Sequence, residues 1–527
     1  MYYHKQLLTV LLFSCMLIKA TAQKQEQPPP GLDAYIQKTL ATFEVPGAAV
    51  GIVHNGKTIL AKGYGIKKLG SKDPVDEHTL FCIASNSKAF TATALAILEE
   101  EGKLKWDDPV IDHLPWFRMS DTYVTSHLTV RDLLVHHSGL SAYAGDMLLF
   151  PPSTFSRKEI VEKIRLLPLQ HDFRTTYAYD NILYLAAGEL IAAVSGMSWE
   201  EFVRVRILDK AGMKETLSRF SLMKASANVS ASHSRNNKEV KIVEGFFEQG
   251  IGDAANPAGG IASNAGDMCR WMITQLDSGR TPEKTVLFKP TTTEQLWKII
   301  RPMPITKNIP ELKAAQMDFY GYALGFRSYN YGRYKVVGHG GALDGFVSQV
   351  AMVPELGLGV VVLTNQESTG AYWSVIYHIL DHYMKNPAYD WTAAYRKQLD
   401  SSLVRQERKL QENTVQPIAG AISPLPVKQY AGKYKDPYYG DVTISENTGK
   451  LTMVFEQLPQ LVADLQYFQY NSFIARFRNA DLKGDAYINF SISEKGNITG
   501  VTMKSIHPNS SLYLEDVKLV PAVPEIK

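Results

Sequence analysis

Apolar positions change their period along this chain, and the changes mark out its regions. Near the N-terminus a short helical pattern leads into two apolar runs, 47–53 and 58–65, around His54-Asn55-Gly56. Two such runs about an Asn-Gly pair predict a β-hairpin. A matching group lies far downstream at 334–337, 346–353 and 359–363, the last two joined by the turn residues Pro354-Glu355-Leu356-Gly357. Strands at both ends of one region predict a single antiparallel sheet. Between them the apolar residues recur at helical spacing, most clearly at 89–98, 182–194 and 267–276. Asn264, three residues before Asp267, predicts a capping box. A helix over 371–384 is expected to fold back over the sheet.

Beyond that helix the pattern changes twice. Residues 388–412 are charged with helical propensity, and 413–426 carry the Pro, Gly and Ala of a linker. Short strands then recur at 440–446, 450–455, 473–477, 486–492, 498–504 and 512–519, which predicts a small antiparallel barrel or sandwich. With 527 residues the chain is too long for one ordinary core. The expected layout is a signal segment at 1–22, an α+β domain at 30–385, a helical linker at 386–426 and an antiparallel β domain at 427–522.

Composition narrows the function classes. Hydrophobic content of 45% and charge of 21% describe a globular protein, and a pI near 8.4 gives no polyanion signal, so nucleic acid is not an expected partner. Lys5, the apolar run 7–18 and Ala20-Thr21-Ala22 read as a secretory signal cut before Gln23, which predicts a periplasmic or secreted protein. Cys15 follows Leu12-Phe13-Ser14, a faint likeness to a lipoprotein processing site that Phe13 and the continuing Met16-Leu17-Ile18 argue against. Cleavage would remove Lys5 and Lys19 and no acid, taking the formal charge from +3 to +1. Cys82 and Cys269 are too few for a disulfide framework and are expected to be buried thiols. No later stretch is long and apolar enough to span a membrane. The sequence carries no signal for the number of subunits.

The chemistry centres on Ser85-Asn86-Ser87-Lys88, which sits between the apolar lead-in Leu80-Phe81-Cys82-Ile83-Ala84 and the apolar run 89–98. If Ser85 opens a helix, its hydroxyl and the Lys88 amine share one face. Serine needs a neighbour to take its proton, and a lysine serves only if burial or nearby positive charge lowers its pKa. An apolar helix start supplies that burial, and its free amides favour negative charge on the serine oxygen. Ser221-Leu222-Met223-Lys224 has the same spacing, but the polar run 225–239 after it offers no helix to bury the pair.

Two further motifs stand beside the first. Tyr179-Asp180-Asn181 precedes the apolar run at 182–194, and His339-Gly340-Gly341 follows one strand pattern and precedes another. Asn181 also has the chemistry of a helix N-cap, and His339 that of a structural histidine. His136 and His137 read as loop-fixing. No H-E-x-x-H or paired Cys/His spacing suggests a metal, no cofactor motif appears, and no G-x-S-x-G elbow points to an α/β-hydrolase.

The ordered set resembles the serine β-lactamase and penicillin-binding protein superfamily, closest to class C-like β-lactamases, D-alanyl-D-alanine carboxypeptidases, D-aminopeptidases and related esterases. Leu133-Leu134-Val135-His136-His137-Ser138-Gly139-Leu140, Pro257-Ala258-Gly259-Gly260-Ile261-Ala262-Ser263 and Tyr320-Gly321-Tyr322-Ala323-Leu324-Gly325 extend the likeness over about 32–384. It implies a β-lactamase/transpeptidase-like fold and an exported serine hydrolase acting on a peptide, which can carry D-residues, or on a small ester. β-Lactamase activity and non-hydrolytic ligand capture are the rival readings. By resemblance Ser85 is acylated and Lys88 shares its proton. Tyr179, as a phenolate favoured by nearby positive charge, serves as base and then acid, with the first base left open between it and Lys88. Asn181 contacts the substrate's acyl-side amide, and His339 sits opposite as an electrostatic and hydrogen-bonding group. The amides of Ser85 and Ala342 hold the oxyanion, and Gly341 lets the substrate backbone lie against the strand. The third motif departs from the Lys-Thr-Gly of class C enzymes, and a histidine there stays charged only if its pKa is raised. That departure favours a peptide or ester over an antibiotic. The C-terminal region resembles the lipocalin-like domain appended to some of these hydrolases.

Overall fold

The computed structural model describes residues 26–236, 239–510 and 512–522, so the expected signal segment lies outside the described residues. The predicted hairpin forms from β1 (Gly47–His54) and β2 (Lys57–Gly65). Five further strands of the same sheet are β3 (Arg301–Pro302), β4 (Tyr320–Tyr322), β5 (Arg327–Tyr331), β6 (Tyr334–Leu343) and β7 (Phe346–Val353). The eighth is β8 (Leu358–Thr364), and it pairs antiparallel with β1, Val50 opposite Val362. Both ends of the region therefore meet in one sheet, of order β2-β1-β8-β7-β6-β5-β4-β3. β7 and β8 are buried along their whole length, which is why they read as continuous apolar runs.

Helices cover both faces of the sheet. On one face lie α1 (Leu32–Phe43), α5 (Thr369–Met384) and α6 (Trp391–Asn413), whose Phe43, Ile376 and Trp391 pack with Val360 and Val362 in one apolar cluster. On the other lie α2 (Ser87–Glu100), α3 (Ile182–Ser195) and α4 (Ala265–Leu276) in a second cluster. α2 is buried at every position from Ser87 to Leu98, as a helix apolar all round must be. Each large side chain so buried contributes about 1.5–3 kcal/mol. The fold is thus α+β, as expected.

Some local expectations change. Asn264 caps α4 by accepting from the Asp267 amide, but the Asp267 carboxylate turns away to the amides of Glu215 and Thr216, so only half a capping box forms. His339 follows no strand end, because β6 runs straight through it to Leu343. β5 stops pairing at Gly338, so the outer edge of β6 from His339 onward is open.

The C-terminal region is a closed barrel of eight strands, not a sandwich, with the first strand, Gly432–Asp436, pairing with the last, Lys518–Pro521. Two of its strands, Gly432–Asp436 and Val462–Gln469, escape the sequence pattern. In the first, lysines alternate with the buried Tyr434 and Asp436, which leaves one inward apolar residue to signal a strand. The expected last strand at 512–519 is mostly a turn, with strand only from Lys518. The barrel's buried residues join the same apolar cluster as α2, α3 and α4. Its loops hydrogen-bond to the α+β domain, Lys163 Nζ donating to Pro437 O at 3.3 Å and Thr154 N to Gln457 O at 2.9 Å. Cys82 and Cys269 are buried free thiols. Among the described residues no single helix is long and apolar enough to cross a membrane.

Candidate active site

Ser85 lies in a 3₁₀ turn, Ala84–Asn86, that runs directly into α2. Ala84 adopts a positive φ of 46°, which costs a residue with a Cβ on the order of 1–3 kcal/mol and must be held by its surroundings. The hold comes from the sheet. Ser348 Oγ on β7 donates to Ile83 O at 2.7 Å, and Asn86 Nδ2 donates to Ser348 Oγ at 2.8 Å. β6 comes so close that a Cβ on Gly341 would stand 2.1 Å from Ile83 O. Gly341 therefore also lets the strand approach the serine turn, and it lines the cavity beside that turn.

Lys88 has no exposed surface, and its amine makes three polar contacts: Asn181 Oδ1 at 2.6 Å, Ala258 O at 2.8 Å and Ser85 Oγ at 3.1 Å. Burial drives its pKa down to about 7 despite the opposing charges of Asp146 and Asp180, and Arg327 pushes the same way as burial. A neutral amine has two N–H groups and one lone pair. The two acceptors take the N–H groups, which leaves the lone pair facing Ser85 Oγ.

Tyr179 Oη donates to the same oxygen at 2.9 Å. Burial raises the pKa of this phenol well above its ordinary value, and the Arg327 charge does not offset that. Burial thus favours the neutral phenol over the expected phenolate in the free protein, and a neutral phenol can donate its proton but is no base at neutral pH. Asn181 stands at the N-cap of α3 without a side-chain cap bond. Its Oδ1 is on Lys88 and its Nδ2 donates to Asp146 Oδ2 at 2.6 Å, so the free protein already occupies the amide expected to meet substrate.

His339 departs furthest from expectation. It is 2% exposed, its Nδ1 donates to Gly340 O at 2.6 Å, and its Nε2 accepts from Tyr322 Oη at 2.8 Å. Burial, with the Arg327 and Lys88 charges, lowers its pKa well below the usual value and keeps it neutral. The cation facing the cavity is instead Arg327, at the start of β5, with its guanidinium carbon 5.9 Å from the Tyr179 ring centre. Its buried Nε has no hydrogen-bond partner among the described residues, and no carboxylate there pairs with it.

These groups line a cavity of about 370 Å³ that includes Ser85, Tyr179, Asn181, Arg327, Gly341 and Ala342. Ala342 is exposed on its wall, which Ser85 shares. Sequence reasoning missed Arg327, Asp146, Tyr143 and Tyr513. Arg327 had a signal, a single cation two residues past Gly325 in an apolar stretch, and so had Asp146, a single acid in Ala144-Gly145-Asp146-Met147-Leu148-Leu149. Burial raises the Asp146 carboxyl to about 7. His137 Nε2 meets Asp132 Oδ1 at 2.6 Å, and His136 Nδ1 accepts from the Asp180 amide at 3.1 Å, so both fix loops.

Comparison with known proteins accords with this geometry. A search of the curated proteins finds an unguisins hydrolase, ungD', of Aspergillus campestris, 28% identical over 429 residues, which are 78% of this chain and 76% of that protein. Among solved structures, the octameric penicillin-binding protein homologue from Pyrococcus abyssi superimposes with a TM-score of 0.57 at 19% identity, covering 93% of this chain and 99% of that one. A class C beta lactamase from Rhodobacter sphaeroides does so with a TM-score of 0.53 at 24% identity, covering 67% of this chain and 99% of that one. These likenesses show the fold. The family model for a domain of unknown function, DUF3471, matches residues 416–519, the barrel. The family model described as Beta-lactamase matches residues 32–381, and the chain belongs to that family.

Proposed function

We propose that the protein hydrolyses a small peptide or ester through an acyl-enzyme on Ser85, with preference for substrates that bear a carboxylate. One observation carries this reading: Ser85 Oγ lies 3.1 Å from the amine of Lys88, whose pKa burial draws down to about 7, and 2.9 Å from the Tyr179 hydroxyl. Lys88 takes the serine proton as Oγ attacks the carbonyl carbon, and Tyr179 gives its proton to the leaving group. Lys88 then returns a proton to Tyr179. Water repeats the sequence in reverse to free the acid. The amides of Ser85 and Ala342 serve as the oxyanion donors. Arg327, charged and unpaired at the wall, matches a substrate carboxylate. The hydrolase named among the relatives supports the reaction type, and the signal pattern at 1–22 supports a site outside the cytoplasm.

Intact-protein mass spectrometry after exposure to a fluorophosphonate, and separately to benzylpenicillin, tests the proposal. The expected result is one adduct per chain with the fluorophosphonate that Ser85→Ala loses. A penicillin adduct that persists identifies a peptidase-like site, whereas rapid turnover of the drug identifies a β-lactamase. Folded wild-type protein that gains no adduct from either reagent would sink the acyl-enzyme.

A further inference from the structure

We infer that the C-terminal barrel completes the active site with an aromatic subsite, Tyr513 against Tyr143, which takes an aromatic group of the substrate. The inference rests on the reading of Ser85 as nucleophile. Tyr513 belongs to the barrel, yet it lines the same cavity as Ser85. Its ring lies 5.6 Å from that of Tyr143, with the planes 18° apart. The Tyr143 ring in turn is 5.5 Å from that of Tyr179, whose hydroxyl is on Ser85. An unbroken row of rings thus leads from the barrel to the serine.

The loop that carries Tyr143 is fixed from both sides. Tyr143 has a positive φ of 60°, and its amide donates to Tyr179 O at 2.7 Å. Behind it the barrel presses so close that a Cβ on Gly145 would lie 2.2 Å from Tyr438 Oη. Despite this fixing, the Tyr143 side chain stays 39% exposed. A large ring held rigid beside a nucleophile and left partly open is a surface for another flat ring. Phe150 and Trp373 add apolar wall to the same cavity. Arg327 shares that wall, so the site is suited to a substrate with both an aromatic group and a carboxylate.

Two fluorophosphonates that differ only in bearing a phenylpropyl or a methyl group on phosphorus test the subsite. In each, a bond forms between Ser85 Oγ and phosphorus, fluoride leaves, and the serine proton passes to Lys88. Labelling rates are read by intact mass on wild type, Tyr513→Ala and Tyr513→Phe. Tyr513→Ala should lower the ratio of phenylpropyl to methyl labelling rates about five- to tenfold, and Tyr513→Phe should restore that ratio. Equal slowing of both reagents would reduce Tyr513 to a domain-docking residue and overturn the subsite, as would no slowing of either. Wild type that reacts with neither would remove the serine reading itself, an outcome distinct from a labelled serine that ignores Tyr513.

Discussion

The chain holds two serine-lysine pairs of the same spacing, and they have opposite environments. Ser85 and Lys88 lie where a 3₁₀ turn enters a buried helix, with the amine enclosed and drawn to about pH 7. Ser221 and Lys224 lie on an exposed 3₁₀ turn, where Ser221 Oγ donates to Asp253 Oδ2 at 2.8 Å. In that pair the hydroxyl proton is held by a carboxylate rather than offered to an amine. Spacing alone brings a serine and a lysine together. Only burial makes the amine a base, and only a second donor, Tyr179, readies the serine oxygen to lose its proton.

Substitutions at the two pairs should separate them sharply. Ser85→Ala should abolish fluorophosphonate labelling and lower turnover by at least about 10⁴-fold, whereas Ser221→Ala should leave both unchanged. Equal loss at both positions would mean that fold, not chemistry, was lost. Lys88→Met should lower kcat/KM by about 10³-fold with the protein still folded by circular dichroism, and Lys224→Met should have no effect.

Smaller effects probe what surrounds the first pair and is missing from the second. Arg327→Gln should lower kcat/KM about 10²-fold for a peptide ending in a carboxylate and spare its amidated counterpart, as measured in parallel assays. An equal fall for both would reassign Arg327 to structure. Asp146→Asn removes a negative charge that raises the Lys88 pKa, so the acidic limb of the kcat/KM profile should move to lower pH. A limb that moves up would contradict that sign. The rate above the limb should drop about tenfold, the effect of exchanging the hydrogen bond from Asn181 to a charged carboxylate for one to a neutral amide.

Much of this site was legible because its parts are local. Ser85 and Lys88 declare each other through one helical turn, and the apolar flanks already implied the burial that retunes the amine. Tyr179 and Asn181 share one loop-helix junction. Arg327, Asp146 and Tyr513 come from separate elements, and nothing near them in sequence says that they face the same cavity. The charge at His339 was left conditional on its pKa, and burial inside β6, not the residue type, decides it. Tyr179 was misjudged for the same reason, since burial outweighs the nearby cation. In the fold, buried runs such as β7 and β8 announce themselves, while Gly432–Asp436 hides because its lysines face solvent.

The rate of fluorophosphonate labelling at Ser85 as a function of pH tests the central claim most directly. A neutral Lys88 is the base, so the rate should be low in acid, rise as the amine loses its proton, reach half its maximum near pH 7 and stay level above. A midpoint near the ordinary lysine value of 10.5, or a rate indifferent to pH, would contradict the account.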